Sequence, residues 1–151
     1  MSQINVNTIA STAGTDYQFI KQIVTGTTTT QVDVSSTTLT DTGLTATITP
    51  TSSSSKILVL VSQSVAHNGR SIGRLVIFKG ASNIYDTIDV GDADNQRSLH
   101  FATFLDSPAT TSSTAYKTQM SRFGQSGTIN IQRNDSGSKG LSTIVLIEVA
   151  A

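Results

Sequence analysis

Residues 142–150 read STIVLIEVA, and the way this stretch is buried decides the fold. In a strand, alternate side chains point to opposite faces of the sheet. Ile144, Leu146 and Glu148 therefore share one side, and Val145, Ile147 and Val149 the other. A strand in a simple two-layer sandwich needs only one dry side, yet both sides here are apolar apart from one carboxylate. The run ILVLV at 57–61 has the same character, and continuous apolar runs of this length mark strands covered on both faces.

The rest of the chain sets the context for these two strands. It has 151 residues, enough for one domain with a sizeable core. Ser and Thr make up about three residues in ten and charged residues only 13%, with Glu148 the sole glutamate. Good surface helix formers are scarce and β-branched residues abundant, so the chain reads as all-β. Short apolar alternations recur between turn clusters at spacings that suit a sandwich or barrel. The expected strands are 19–25, 30–34, 44–49, 56–66, 74–79, 83–90, 97–105, 114–123, 128–132 and 141–149. Between them lie TDTG (40–43), the Pro50 loop TPTSSSS (49–55), the Asn-Gly turn of HNG (67–69), DSPATTSS (106–113) and NDSGSKG (134–140), the last expected to be a flexible tip. In strand 97–105, Leu99, Phe101, Thr103 and Leu105 form the expected dry side, opposite Ser98, His100 and Ala102. Residues 1–18 are polar with isolated Ile4, Val6 and Ile9, and read as an arm preceding a sandwich domain over 19–151.

Formal net charge is zero and the ten Lys and Arg are scattered, so no footprint for nucleic acid appears. There is no cysteine for a disulfide or a thiolate metal site. No signal peptide of the usual kind and no apolar run long enough to span a bilayer are present. His67 and His100 fall in different segments, without the spacing of metal ligands, and are expected to be solvated. The aspartates of YDTIDVGDADNQ (85–96) depart from the calcium-loop order D-x-[DN]-x-[DN]-G, so a solvated hairpin loop is expected there. No nucleophile elbow, phosphate loop or opposed carboxylate pair stands out. The expectation is a non-enzyme without cofactor or metal.

In a two-layer sandwich of this size, another subunit is the natural cover for the second dry side of strands 57–61 and 144–149. The alternative is that the N-terminal segment folds over that side within one chain. The first reading makes the protein a homo-oligomer, with Val145, Ile147, Val149, Leu58 and Leu60 as candidate interface residues. The opposite side of the last strand is less suited, because it would gather several copies of the Glu148 carboxylate.

The run TDTGLTATITPTSSSSKILVLVSQSV (40–65), followed by GRLVIFKG (73–80), SLHFATFLDSPATTSSTAYKTQM (98–120) and GLSTIVLIEVA (140–150), resembles a family of bacteriophage virion proteins common in phages of cyanobacteria and other aquatic bacteria. The resemblance covers residues 19–151. It implies an antiparallel jelly-roll-like β-sandwich that forms trimers similar to tumour-necrosis-factor and C1q-like heads, with the last strand near the three-fold axis. It also implies a place on the phage particle surface, after assembly in the host cytoplasm. A capsid cement or decoration role is expected, with the major capsid protein or another virion protein as partner and neither nucleic acid nor membrane. Ile4, Val6 and Ile9 would then be capsid-attachment residues. The alternative is a distal tail- or head-fibre module that binds host surface glycans; it fits less well because no shaft segment is present.

Overall fold

The computed structural model describes residues 19–91 and 95–150, the last three of the first span by backbone alone. These residues form twelve strands and no helix. The strands are β1 (Ile20–Thr28), β2 (Val32–Val34), β3 (Thr40–Ile48), β4 (Lys56–Asn68), β5 (Ser71–Lys79), β6 (Ser82–Gly91), β7 (Gln96–Asp106), β8 (Thr114–Gly124), β9 (Thr128–Ile131), β10 (Asn134–Asp135), β11 (Ser138–Lys139) and β12 (Ser142–Val149).

Two antiparallel sheets face each other. One runs β1-β12-β4-β7; beyond the end of β12, β9 continues along the same edge of β4 and carries β2 on its outside. The other runs β3-β8-β5-β6. Leaving aside the short β2, β9, β10 and β11, the eight long strands follow the order first-eighth-third-sixth in one sheet and second-seventh-fourth-fifth in the other. That order is two interlocked Greek keys, a jelly roll.

The core follows from alternation. Ile57, Val59, Val61 and Val65 of β4, Ile144 and Leu146 of β12, and Ile129 and Ile131 of β9 point inward from one sheet. They meet Leu44, Ala46 and Ile48 of β3, Leu75 and Ile77 of β5, and Tyr116 and Met120 of β8 from the other. Polar side chains cross the core as well. Gln63 donates to Ser142 Oγ (2.8 Å) and accepts from the Thr118 hydroxyl (2.9 Å), which lies 2.5 Å from that of Thr42. The Gln132 amide reaches the same Ser142 hydroxyl at 2.8 Å, and all five residues are fully buried. A second bridge joins the sheets at one end, where Asp106 of β7 accepts from Tyr116 Oη (2.7 Å) and Lys79 Nζ (3.0 Å). Burial, and then the neighbouring Asp106, push the Tyr116 hydroxyl far above its ordinary pKa, so it stays protonated and donating.

Four sequence expectations are corrected. TDTG (40–43), expected as a turn, is the start of β3, where the pairing with β8 shifts register between Asp41 and Thr45. His67 is buried, not solvated: its Nδ1 lies 2.7 Å from the buried Ser71 hydroxyl, joining β4 to β5 across the Asn68-Gly69 turn. In β7 the sides are reversed. Ala102 is buried and His100 half-buried on the inner side, while Leu99, Phe101 and Leu105 point outward. The register with β4 forces this, since Leu105 pairs with Leu58 and Phe101 with Ser62, both on the outer side. Residues 134–139, expected to be a flexible tip, form the β10–β11 hairpin, whose turn is made by Ser136 and Gly137 at positive φ. The arm residues Ile4, Val6 and Ile9 and the side chains of Asp89, Asp92 and Asp94 lie outside the described residues. The remaining aspartate of that run, Asp86, is paired with Arg74 on the β5–β6 surface.

Candidate interaction face

The five residues singled out from sequence sit together on the outward side of the β1-β12-β4-β7 sheet. Ile147 pairs with Leu58, and Val145 with Leu60, while Val149 lies opposite Lys56 at the end of the face. The pairing extends the pattern in both directions. One row reads Ile23, Ile147, Leu58, Leu105; the next reads Thr25, Val145, Leu60, Thr103; a third reads Thr27, Thr143, Ser62, Phe101. Directly opposed residues of antiparallel neighbours share a face, so these three rows form one continuous surface without a charged side chain. A register shift between Ile20 and Gln22 on β1 turns Ile20 outward beside Val149 as well. The contribution of β7 is not legible in the sequence, because its outward side carries Leu99, Phe101 and Leu105, which alternation assigns to the core.

The opposite outer surface, on β3-β8-β5-β6, mixes apolar and charged side chains: exposed Ile88 lies opposite Arg74, and Phe78 opposite Lys117. Lys117 pairs with Asp41 and Arg74 with Asp86, among the exposed Thr45 and Thr47. The two outsides of the sandwich thus differ in charge: one carries ion pairs, whereas the three rows of the other carry apolar and hydroxyl side chains only.

The inner side of β12 explains how its lone carboxylate is tolerated. Glu148 is fully buried. It accepts from Gln22 Nε2 of β1 (2.6 Å) and from the backbone N–H and hydroxyl of Thr51 in the β3–β4 loop (both 2.7 Å). Burial pushes the Glu148 pKa up, but the hydrogen bonds from Gln22, Thr51 and Ser55 outweigh it and hold the carboxyl at about 2. The glutamate therefore ties β1 and the Pro50 loop to the strand that centres the apolar face.

This bears on stability against pH. A carboxyl depressed from its ordinary 4.5 to about 2 contributes stability that is fully present above pH 4.5 and is lost as pH falls toward 2. The gap is worth about 3 kcal/mol. Urea melts between pH 7 and pH 2 are expected to show that loss in the native chain and a flatter profile in Glu148→Gln, which starts lower at pH 7. Equal slopes for the two proteins would remove Glu148 as the source.

Chemistry of other kinds finds little footing. Among the described residues, no three His, Asp or Glu side chains gather as metal ligands. The His67–Ser71 contact brings a base to a hydroxyl, but both are buried away from any substrate. A shallow apolar depression lies on the face itself, between β12, β4 and β7.

No family model matches the chain, and no curated protein matches it. Solved structures to which it is similar include a chain of infectious bursal disease virus, Gt strain, at 14% identity and a TM-score of 0.43. A chain of the Gx strain is also similar, at 14% identity and a TM-score of 0.38. Each likeness covers 98% of this chain and 43% of the viral one, so the chain spans less than half the length of those proteins. Similarity of this degree says nothing of what the chain does.

Proposed function

We propose that this chain is a structural virion protein, a homotrimer that decorates and stabilises a phage head shell. The observation that carries the reading is the uncharged apolar face of β1-β12-β4-β7. Four strands about 4.8 Å apart, over the five residues that the three rows span at about 3.4 Å each, give a face of roughly 20 by 17 Å, with seven apolar side chains and five Thr or Ser. A patch of about that size is near the largest that monomers carry, and such patches are often functional surfaces. Ile23, Leu58, Leu60, Phe101, Leu105, Val145 and Ile147 would leave water in an assembly, each gaining on the order of 1 kcal/mol or more for the area it still exposes. The sum is of the size needed to offset the entropy of association. The number three, the shell and the major capsid protein as partner come from the family resemblance, as does attachment through Ile4, Val6 and Ile9.

Two measurements test the reading. Multi-angle light scattering of the purified chain at micromolar concentration is expected to give three times the protomer mass; a well-behaved lone protomer overturns the assembly. Gel densitometry of purified virions is expected to show about as many trimers as the shell has capsomer junctions. A handful of copies per particle would instead assign the chain to a fibre tip.

A further inference from the structure

Asn68 is the sole asparagine of the sequence that precedes a glycine, and the fold places the pair at the turn from one sheet to the other. Asn68 ends β4 and is exposed, and Gly69 follows at a φ of 76°. An asparagine in this setting can modify itself. The glycine nitrogen, screened by no side chain, attacks the asparagine side-chain carbonyl carbon; a C–N bond forms, and ammonia leaves from that carbon. Water then opens the resulting succinimide at either carbonyl, giving aspartate or isoaspartate.

Ring closure needs the Gly69 nitrogen to swing toward the Asn68 side chain, away from its place in an extended backbone. Three ties oppose that swing. Asn68 stands opposite Thr128 in the pairing of β4 with β9. The Gly127 N–H donates to the Arg70 carbonyl at 2.9 Å. The His67 Nδ1–Ser71 Oγ contact of 2.7 Å joins the residues that flank the turn. The seat on Gly127 is also tight: a Cβ there would stand 2.6 Å from the Arg70 carbonyl oxygen and 2.7 Å from that of Asn68.

We propose that Asn68 is a site of self-catalysed deamidation, held back while residues 68–70 sit on Gly127 and released when that seat opens. Reaction is then confined to molecules in which the turn has lifted, a local opening short of global unfolding. Isoaspartate routes the backbone through the former side chain and lengthens it by a methylene, so the strand end and the seat no longer fit together. Either product adds a negative charge to a chain whose formal net charge is zero.

Isoelectric focusing and peptide mapping by mass spectrometry, after incubation at mildly alkaline pH, read the reaction. Isoaspartyl methyltransferase reports the rearranged product. In the wild-type chain, Asn68 is expected to deamidate at least about tenfold more slowly when folded than in urea, the factor that about 1.4 kcal/mol of local opening supplies. Gly127→Ala, with circular dichroism confirming its fold, is expected to bring the folded rate close to the urea rate. Ser71→Ala cuts one tie without touching the backbone; it is expected to raise the rate by a smaller factor, and it serves alone where Gly127→Ala fails to fold. Equal rates for folded and unfolded wild type would overturn the proposal, as would a folded Gly127→Ala or Ser71→Ala no faster than wild type. An acidic product that persists in Asn68→Ser would assign the reaction to another amide.

Discussion

Ile147→Asp is expected to leave the chain folded and to abolish its self-association. Ile147 is half-buried at the middle of the outward row, flanked by Ile23 and Leu58, and points away from the core. In a lone protomer the new carboxylate stays in water, and the inner neighbours Ile144 and Leu146 keep their packing. In an assembly every copy would bury an unpaired charge, at a cost of about 3–5 kcal/mol each. Against the affinity of one contact, 3 kcal/mol is already more than about 100-fold. Light scattering reads the mass, and circular dichroism at the same concentration reads the fold. Thr47→Asp, exposed on the other sheet, is the matched control and is expected to change neither. A trimer that survives Ile147→Asp would place the subunit contact on another surface.

The second large effect is predicted at Gly26, and it concerns stability. A Cβ built there would stand 1.9 Å from the Thr45 carbonyl oxygen and 3.1 Å from Ile144 Cγ2. The backbones of β1 and β3 touch at this corner, so the two sheets meet with no side chain between them. Backbone cannot swing aside as a long side chain can. Gly26→Ala must therefore part the strands, and a cost of about 4 kcal/mol or more is expected, a large share of what a domain this size possesses. The measurement is a urea midpoint or, failing that, soluble yield. Thr27→Ala next door, on an exposed side chain, is expected to cost no more than about 0.5 kcal/mol. A mild effect at Gly26 would show that β1 and β3 can part at this corner without loss.

How far these features could be read from residues alone differs from strand to strand. The ten expected strands all exist, because alternation with a period of two and Gly, Pro or Asn punctuation are local signals. The grouping of Val145, Ile147 and Val149 with Leu58 and Leu60 follows from the same period. What alternation cannot supply is polarity in the other sense, namely which side of a strand faces the core. In β7, Leu99, Phe101 and Leu105 point outward, and Ala102 and Phe104 inward, so the side with more apolar residues is not the core side; only pairing with β4 decides it. Gly26 read as the end of a strand, whereas β1 runs on through it to Thr28; a glycine within a strand can equally mark close backbone approach. His67 looked like a turn residue and is a core residue, because β4 extends two positions beyond the expected end.

The buried amides and hydroxyls of the interior have a consequence for how the chain finds this fold. Strands made largely of Thr, Ser, Val and Ile are nearly self-similar, and sliding one past its neighbour by two positions returns every side chain to its proper face. Oil alone would scarcely notice such a slip. Gln63, Thr118, Ser142 and Gln132 would notice, since each would lose its partner in a dry environment, at about 1–3 kcal/mol for every stranded group. The polar thread through the core thus works as a key, rejecting near-miss alignments that a uniformly greasy interior would accept.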